Sequence, residues 1–153
     1  MTQFTAERTV LSAMIGAVKS AANELLRQLE CERLALRERN DQGIIDSSKA
    51  KQQQFEILRS LIGDINKTMR AANVKTAAEL FLAHGLVEDW RTANELLEQC
   101  DRDNRRNGII IEAARAMNRR LLELFIGAPS TPAIYGARGK LQYGPLAGPL
   151  ARA

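Results

Sequence analysis

The sequence predicts an all-α protein: an elongated antiparallel bundle of three long helices with a short connecting helix, followed by a flexible C-terminal tail. Three observations carry that expectation. All four prolines (Pro129, Pro132, Pro145 and Pro149) fall after residue 128, so the stretch before them lacks the residue that most reliably breaks a helix. Aromatic residues make up 5% of the chain, and its apolar content is mainly Leu, Ile and Ala, a balance that favours helix over sheet. Apolar residues also recur in alternating three- and four-residue steps, the spacing that lines one face of a helix.

Leu11, Ile15, Val18, Ala22, Leu25, Leu29 and Leu36 form the first such seam, with Glu32 its one break. It predicts a helix from about Thr5 to Asn40. Asn40-Asp41-Gln42-Gly43 supplies breaker chemistry. A second seam, Phe55, Leu58, Ile62, Ile65, Met69 and Ala72, predicts a helix capped by Asp46 or Ser47 and ending near Asn73. Thr76-Ala77-Ala78-Glu79 fits a capping box that opens a short helix, and Gly85 can close it. A third seam runs through Trp90, Ala93, Leu97, Cys100, Asn104, Ile111, Ala114, Asn118, Leu121 and Phe125, until Gly127 and Pro129 stop it. A helix of that length must pack on neighbours to persist in water, and the short connections imply an up-down-up arrangement.

Two domains are expected: a helical bundle over residues 1–127 and a Pro/Gly-rich tail over 128–153. The tail has too few large apolar side chains to offset its ordering entropy. Both tyrosines, Tyr135 and Tyr143, nevertheless lie in it.

The third helix carries more apolar residues than one core stripe needs. Ile109, Ile110 and Ile111 are consecutive and span about 200° of the helix surface at about 100° per residue. Leu121, Leu122, Leu124, Phe125 and Ile126 likewise wrap most of it. Either the helix is central and touches two neighbours, or it exposes an apolar strip that receives a partner segment. Asn104 and Asn118 stand where leucine would be expected, and Asn107 lies beside Gly108. Such asparagines fix the register of the bundle, or lie open to solvent near a fraying stretch, or bond to the backbone of a partner lying along the groove.

Other function classes find little support. The net charge of +4 steers the protein towards acidic partners without being a nucleic-acid signature. Arg102, Arg105, Arg106, Arg115, Arg119 and Arg120 crowd the third helix. Glu98 and Asp101, four residues before Arg102 and Arg105, offset charge locally, and no aromatic residues alternate with the arginines to stack bases. No nucleic-acid partner is expected. His84 is the one histidine and stands beside Gly85 in a turn; no nucleophile triad, phosphate loop or metal-spaced acids accompany it. The chain reads as a non-enzyme without cofactor or metal. Cys31 and Cys100, the two cysteines, are expected to be buried, reduced and inert. The apolar run Val10–Val18 follows Arg8, but Glu7 and Thr5 give it a poor basic flank and its pattern continues in register, so it reads as helix and not as a leader. No run is long enough to span or insert into a membrane. A cytoplasmic protein is expected.

Asn104-Arg105-Arg106-Asn107-Gly108-Ile109-Ile110-Ile111, followed by Asn118, Leu121 and Leu122, resembles the third-helix signature of the FlgN-type flagellar export chaperones. After a proline-bearing link, Ala133-Ile134-Tyr135-Gly136-Ala137-Arg138-Gly139 is similar to that family's tail motif. The motif match covers residues 104–139, and the helical layout agrees along the chain. The resemblance implies a type III export chaperone that binds the C-terminal segments of hook–filament junction proteins, prevents their premature assembly and delivers them to the flagellar export gate. It places cargo on Asn104, Asn107, Ile109, Ile110, Asn118, Leu121, Leu122 and Phe125, and gate docking on Tyr135, Gly136 and Gly139. A structural bundle or another secretion adaptor would show the same seams without those two motifs.

Overall fold

A computed structural model describes residues 2–126. The tail calls, Tyr135, Gly136 and Gly139 and the expected domain boundary after residue 127, lie outside the described residues. Four helices follow one another, α1 (Thr2–Glu38), α2 (Asp41–Ala71), α3 (Ala77–Ala83) and α4 (Val87–Ile126), and the described residues contain no strand. The all-α class and the succession of three long helices and one short one are as the sequence predicts. Two compact units divide the chain, residues 1–113 and 114–153, so that α4 contributes to both.

In the first unit α1 is the hub. Leu11, Ile15, Val18, Ala22, Leu25 and Leu29 are all buried, as their spacing requires, and each faces inward because the three- and four-residue steps keep them on one side. Leu58 and Ile65 of α2, Leu80 and Phe81 of α3, and Ala93 and Cys100 of α4 complete the core. The turn between α1 and α2 is too short to let them run any way but antiparallel. α4 runs parallel to α1: Lys19 pairs with Asp89, the Cys100 thiol points to the Ala22 carbonyl, and the Asn107 amide bonds the Leu29 carbonyl, so that later residues of one helix meet later residues of the other.

The first turn of α2 differs from the sequence expectation. The helix starts at Asp41, not near Asp46 or Ser47, and Asn40 is its cap, with Oδ1 accepting from the Gly43 amide at 3.0 Å. Arg39 takes a left-handed conformation (φ 54°) that ends α1, and the Asn40 amide bonds back to the Ala35 carbonyl. Gly43 sits inside α2; a Cβ there would come within 2.8 Å of the Asn40 side chain, so glycine lets the cap close. Ser47 lies in the helix interior, buried, with its hydroxyl bonded to the Gly43 carbonyl at 2.7 Å.

The capping box forms as expected at Thr76, whose Oγ1 accepts from the Glu79 amide at 3.2 Å. The Glu79 carboxylate reaches one residue further back than the usual box, to the Lys75 amide at 3.0 Å. Gly85 ends α3 with φ +67°, and the Leu86 amide bonds the Phe81 carbonyl in the six-residue closure that such a glycine permits. His84 caps the C-terminal end of α3: its Nδ1 lies 3.0 Å from the Leu80 carbonyl and its ring stacks on Phe4 of α1.

The cysteines part company with the expectation. Cys100 is buried, but Cys31 is exposed. Burial pushes the Cys100 thiol up to about 11, and the thiolate is the reactive form. Iodoacetamide is expected to alkylate Cys31 in the folded protein and Cys100 only after denaturation, read by peptide mass spectrometry. Equal rates at the two sites would contradict the packing of α4 on α1.

Candidate functional site

Two features of α4 stand out, one in each unit. In the first unit, Asn107 is buried at 1% exposure and turned inward. Its Nδ2 donates to the Leu29 carbonyl at 2.8 Å and to Glu32 Oε2 at 2.9 Å. The Lys51 ammonium of α2 donates to the other Glu32 oxygen at 2.7 Å. Glu32, which reads as a break in the α1 seam, is therefore a buried member of it at 1% exposure, and its charge is met from two other helices. A buried carboxylate is tolerable only when it is paired and hydrogen-bonded, and this one is both. Asn107 thus differs from the other residues of its predicted set: its amide donors are used within the bundle, the register role weighed for it above. Asn104, three residues earlier, is half-buried.

The seam of α4 is covered only as far as Ile111. Every residue from Glu112 to Leu122 is exposed, and with them Ala114, Asn118 and Leu121, which the sequence pattern continues as core positions; Phe125 is 85% exposed. Ile109 and Ile110 of the first unit are exposed as well.

In the second unit, Leu121 and Leu122 stand 43% and 57% open, and two further residues join them that the sequence reading left out of the site: Met117 at 62% and Leu124 at 80%. Set on a helical wheel, Leu124, Met117, Leu121, Ala114, Phe125, Asn118 and Leu122 follow one another around a sector about 160° wide, given about 100° per residue. A single buried stripe needs only about 100°. Met117 and Leu124 are spaced by seven residues, two helical turns, and that spacing was the signal that could have found them. Of the residues from Ala114 to Phe125, the remaining arc carries Arg115, Ala116, Arg119, Arg120 and Glu123.

Little here supports chemistry or phosphate binding. Of the α4 arginines, Arg102 faces Glu98 at 3.9 Å, Arg105 faces Asp101 at 2.9 Å and Arg106 faces Asp103 at 3.8 Å, each pair formed within the helix. The described residues contain no group of three or more His, Cys, Asp or Glu placed to hold a metal ion. An open groove of about 510 Å³ lies between the starts of α1 and α4, lined by Thr5, Thr9 and Ser12 with Arg8 and Asp89; Asp89 is already paired with Lys19 at 2.8 Å. No helix among the described residues is long and apolar enough to cross a membrane.

Comparison with known proteins gives a family match. A family model described as FlgN protein aligns with residues 7–142, which takes in all of α2, α3 and α4 and nearly all of α1. No curated protein and no solved structure matches.

Proposed function

The chain belongs to the FlgN family, whose members are flagellar export chaperones that bind hook-associated proteins, and from that premise we propose that it holds the C-terminal segments of the hook–filament junction proteins on the exposed apolar residues of α4. The observation that carries the proposal is the wide apolar sector of the second unit, with Met117, Leu121, Leu122, Leu124 and Phe125 all exposed. An apolar surface of that width on a helix in water marks a place where another segment lies down. Asn118, exposed within the same sector, offers its amide to a partner backbone. Asn107 contributes by fixing where α4 sits on α1 and α2.

The physical mechanism needs no covalent step. A segment that is disordered in the free subunit folds into an amphipathic helix on the chaperone, and its apolar face is then hidden from other subunits. Premature assembly in the cytoplasm loses its nucleating surface. The ordering of the segment lowers net affinity, which suits a cargo that must be released at the export gate. Gate docking falls to the tail, with Tyr135, Gly136 and Gly139 as the residues that make it.

Calorimetric titration of the full chain with such C-terminal segments tests the reading. Saturable one-to-one binding is expected, and Leu122→Asp should weaken it by about thirtyfold or more, the loss typical of a central interface residue. Because Leu122 is 57% exposed, its thermal midpoint should not move. Tyr135→Ala should leave cargo affinity intact and impair export. Unchanged binding by the Leu122 variant would remove α4 as the docking surface, and equal loss of binding and export in the Tyr135 variant would remove the division of labour.

A further inference from the structure

The buried and the exposed residues of α4 fall into different patterns. In the first unit its buried residues are Ala93, Cys100 and Asn107, seven apart and therefore on one line along the helix. The positions one residue further on are Asn94, Asp101 and Gly108, none of which offers an apolar side chain. In the second unit the line is doubled. Met117, Leu121 and Leu124 follow one another in steps of four and three. Asn118, Leu122 and Phe125 repeat the same steps one residue on, and all six are exposed. The second line is thus turned from the first by about 100°, and Ala114 falls midway between them.

A helix that meets one neighbour needs one such line, whereas a helix that meets two carries apolar residues towards each. We infer that the occupant of this part of α4 is a pair of apolar-faced helices from one partner chain, one seated on each line. The inference rests on the docking reading above and adds the form of the occupant to it. A single helix laid on Met117, Leu121 and Leu124 leaves Leu122 and Phe125 in water, so half of the exposed apolar surface stays uncovered. A second copy of this chain does not answer the pattern either. Across a two-fold axis it brings one α4 against the other, and one helix covers one line. Two helices joined in one chain do answer it, because seating the first raises the effective concentration of the second at its own line.

The test uses the full chain and two synthetic peptides, an amphipathic helix with a leucine face and two copies of that helix joined by a short flexible loop. Calorimetry should count two single helices per chain but one joined pair, and the pair should bind about a hundredfold tighter, as linked modules do. Met117→Asp and Leu122→Asp each strike a different line, and because both residues are exposed, circular dichroism should show the helix retained. Each substitution should cut the count of single helices from two to one and weaken the joined pair by about tenfold or more. One single helix per chain, sensitive to only one of the two substitutions and gaining nothing when joined, would overturn the paired occupant and leave α4 as a docking surface for one segment. Failure of both peptides and of the junction-protein segments to bind would overturn the docking reading itself. Concentration-dependent dimerisation of the chain, abolished by Leu122→Asp in sedimentation equilibrium, would overturn the inference in favour of a second copy.

Discussion

Replacing Lys51 with alanine is expected to destabilise the bundle by about 3 kcal/mol, because it leaves a buried carboxylate without its counter-charge. Glu32 is 1% exposed and has two partners, the Lys51 ammonium at 2.7 Å and the Asn107 amide at 2.9 Å. With the lysine gone, one oxygen keeps a neutral donor and the other keeps none. The pair as a whole contributes little net stability, since taking two charges out of water costs about what their attraction returns. The double replacement Glu32→Leu with Lys51→Met should therefore recover most of the loss. Urea unfolding followed by circular dichroism reads both variants. A Lys51→Ala variant as stable as the parent would mean that Glu32 is reached by water, against the packing of α4 over α1 and α2.

Phe81→Ala should cost about 3–5 kcal/mol, the usual penalty for removing a buried aromatic ring and leaving a cavity. Phe81 is 0% exposed and its ring lies 4.9 Å from that of Trp90 at 30°. α3 is seven residues long, far too short to persist alone, so Phe81 and Leu80 are what hold it to the bundle. Trp90 is the one tryptophan of the chain, which makes its emission a local report. The variant should show a red-shifted emission together with the lost stability. A loss below about 1 kcal/mol would show that the ring is not packed as described.

How far the sequence could be read depends on whether the partner of each residue was local. The α1 seam was legible because its six buried apolar members from Leu11 to Leu29 repeat on one face, and one helix suffices to see that. Glu32 was not, because the lysine and the asparagine that make its burial tolerable lie on α2 and α4, far off in the chain. The same separation hid the role of Asn107. The start of α2 was misplaced since Asn40, Asp46 and Ser47 are all good caps by type; what selects Asn40 is the close fit of its side chain over Gly43, a fact of three dimensions. Glycine there signalled a break, and the break came three residues earlier. Along α4 the spacing of apolar residues continues unchanged past Ile111, although burial does not. Periodicity records which residues share a face and is silent on whether anything covers that face. That is why Ala114, Leu121 and Phe125 fall in one seam with buried residues such as Ala93, and why Met117 escaped notice while Leu124 was named without being placed in the site.

The central claim is that a hook–filament junction segment lies on α4, and amide hydrogen exchange of the full chain with and without that segment tests it most directly. The account predicts new protection from Ala114 to Phe125, with the buried amides of α1 from Leu11 to Leu29 unchanged. Protection gained on α1 or α2 while the exposed residues of α4 exchange as before would contradict it.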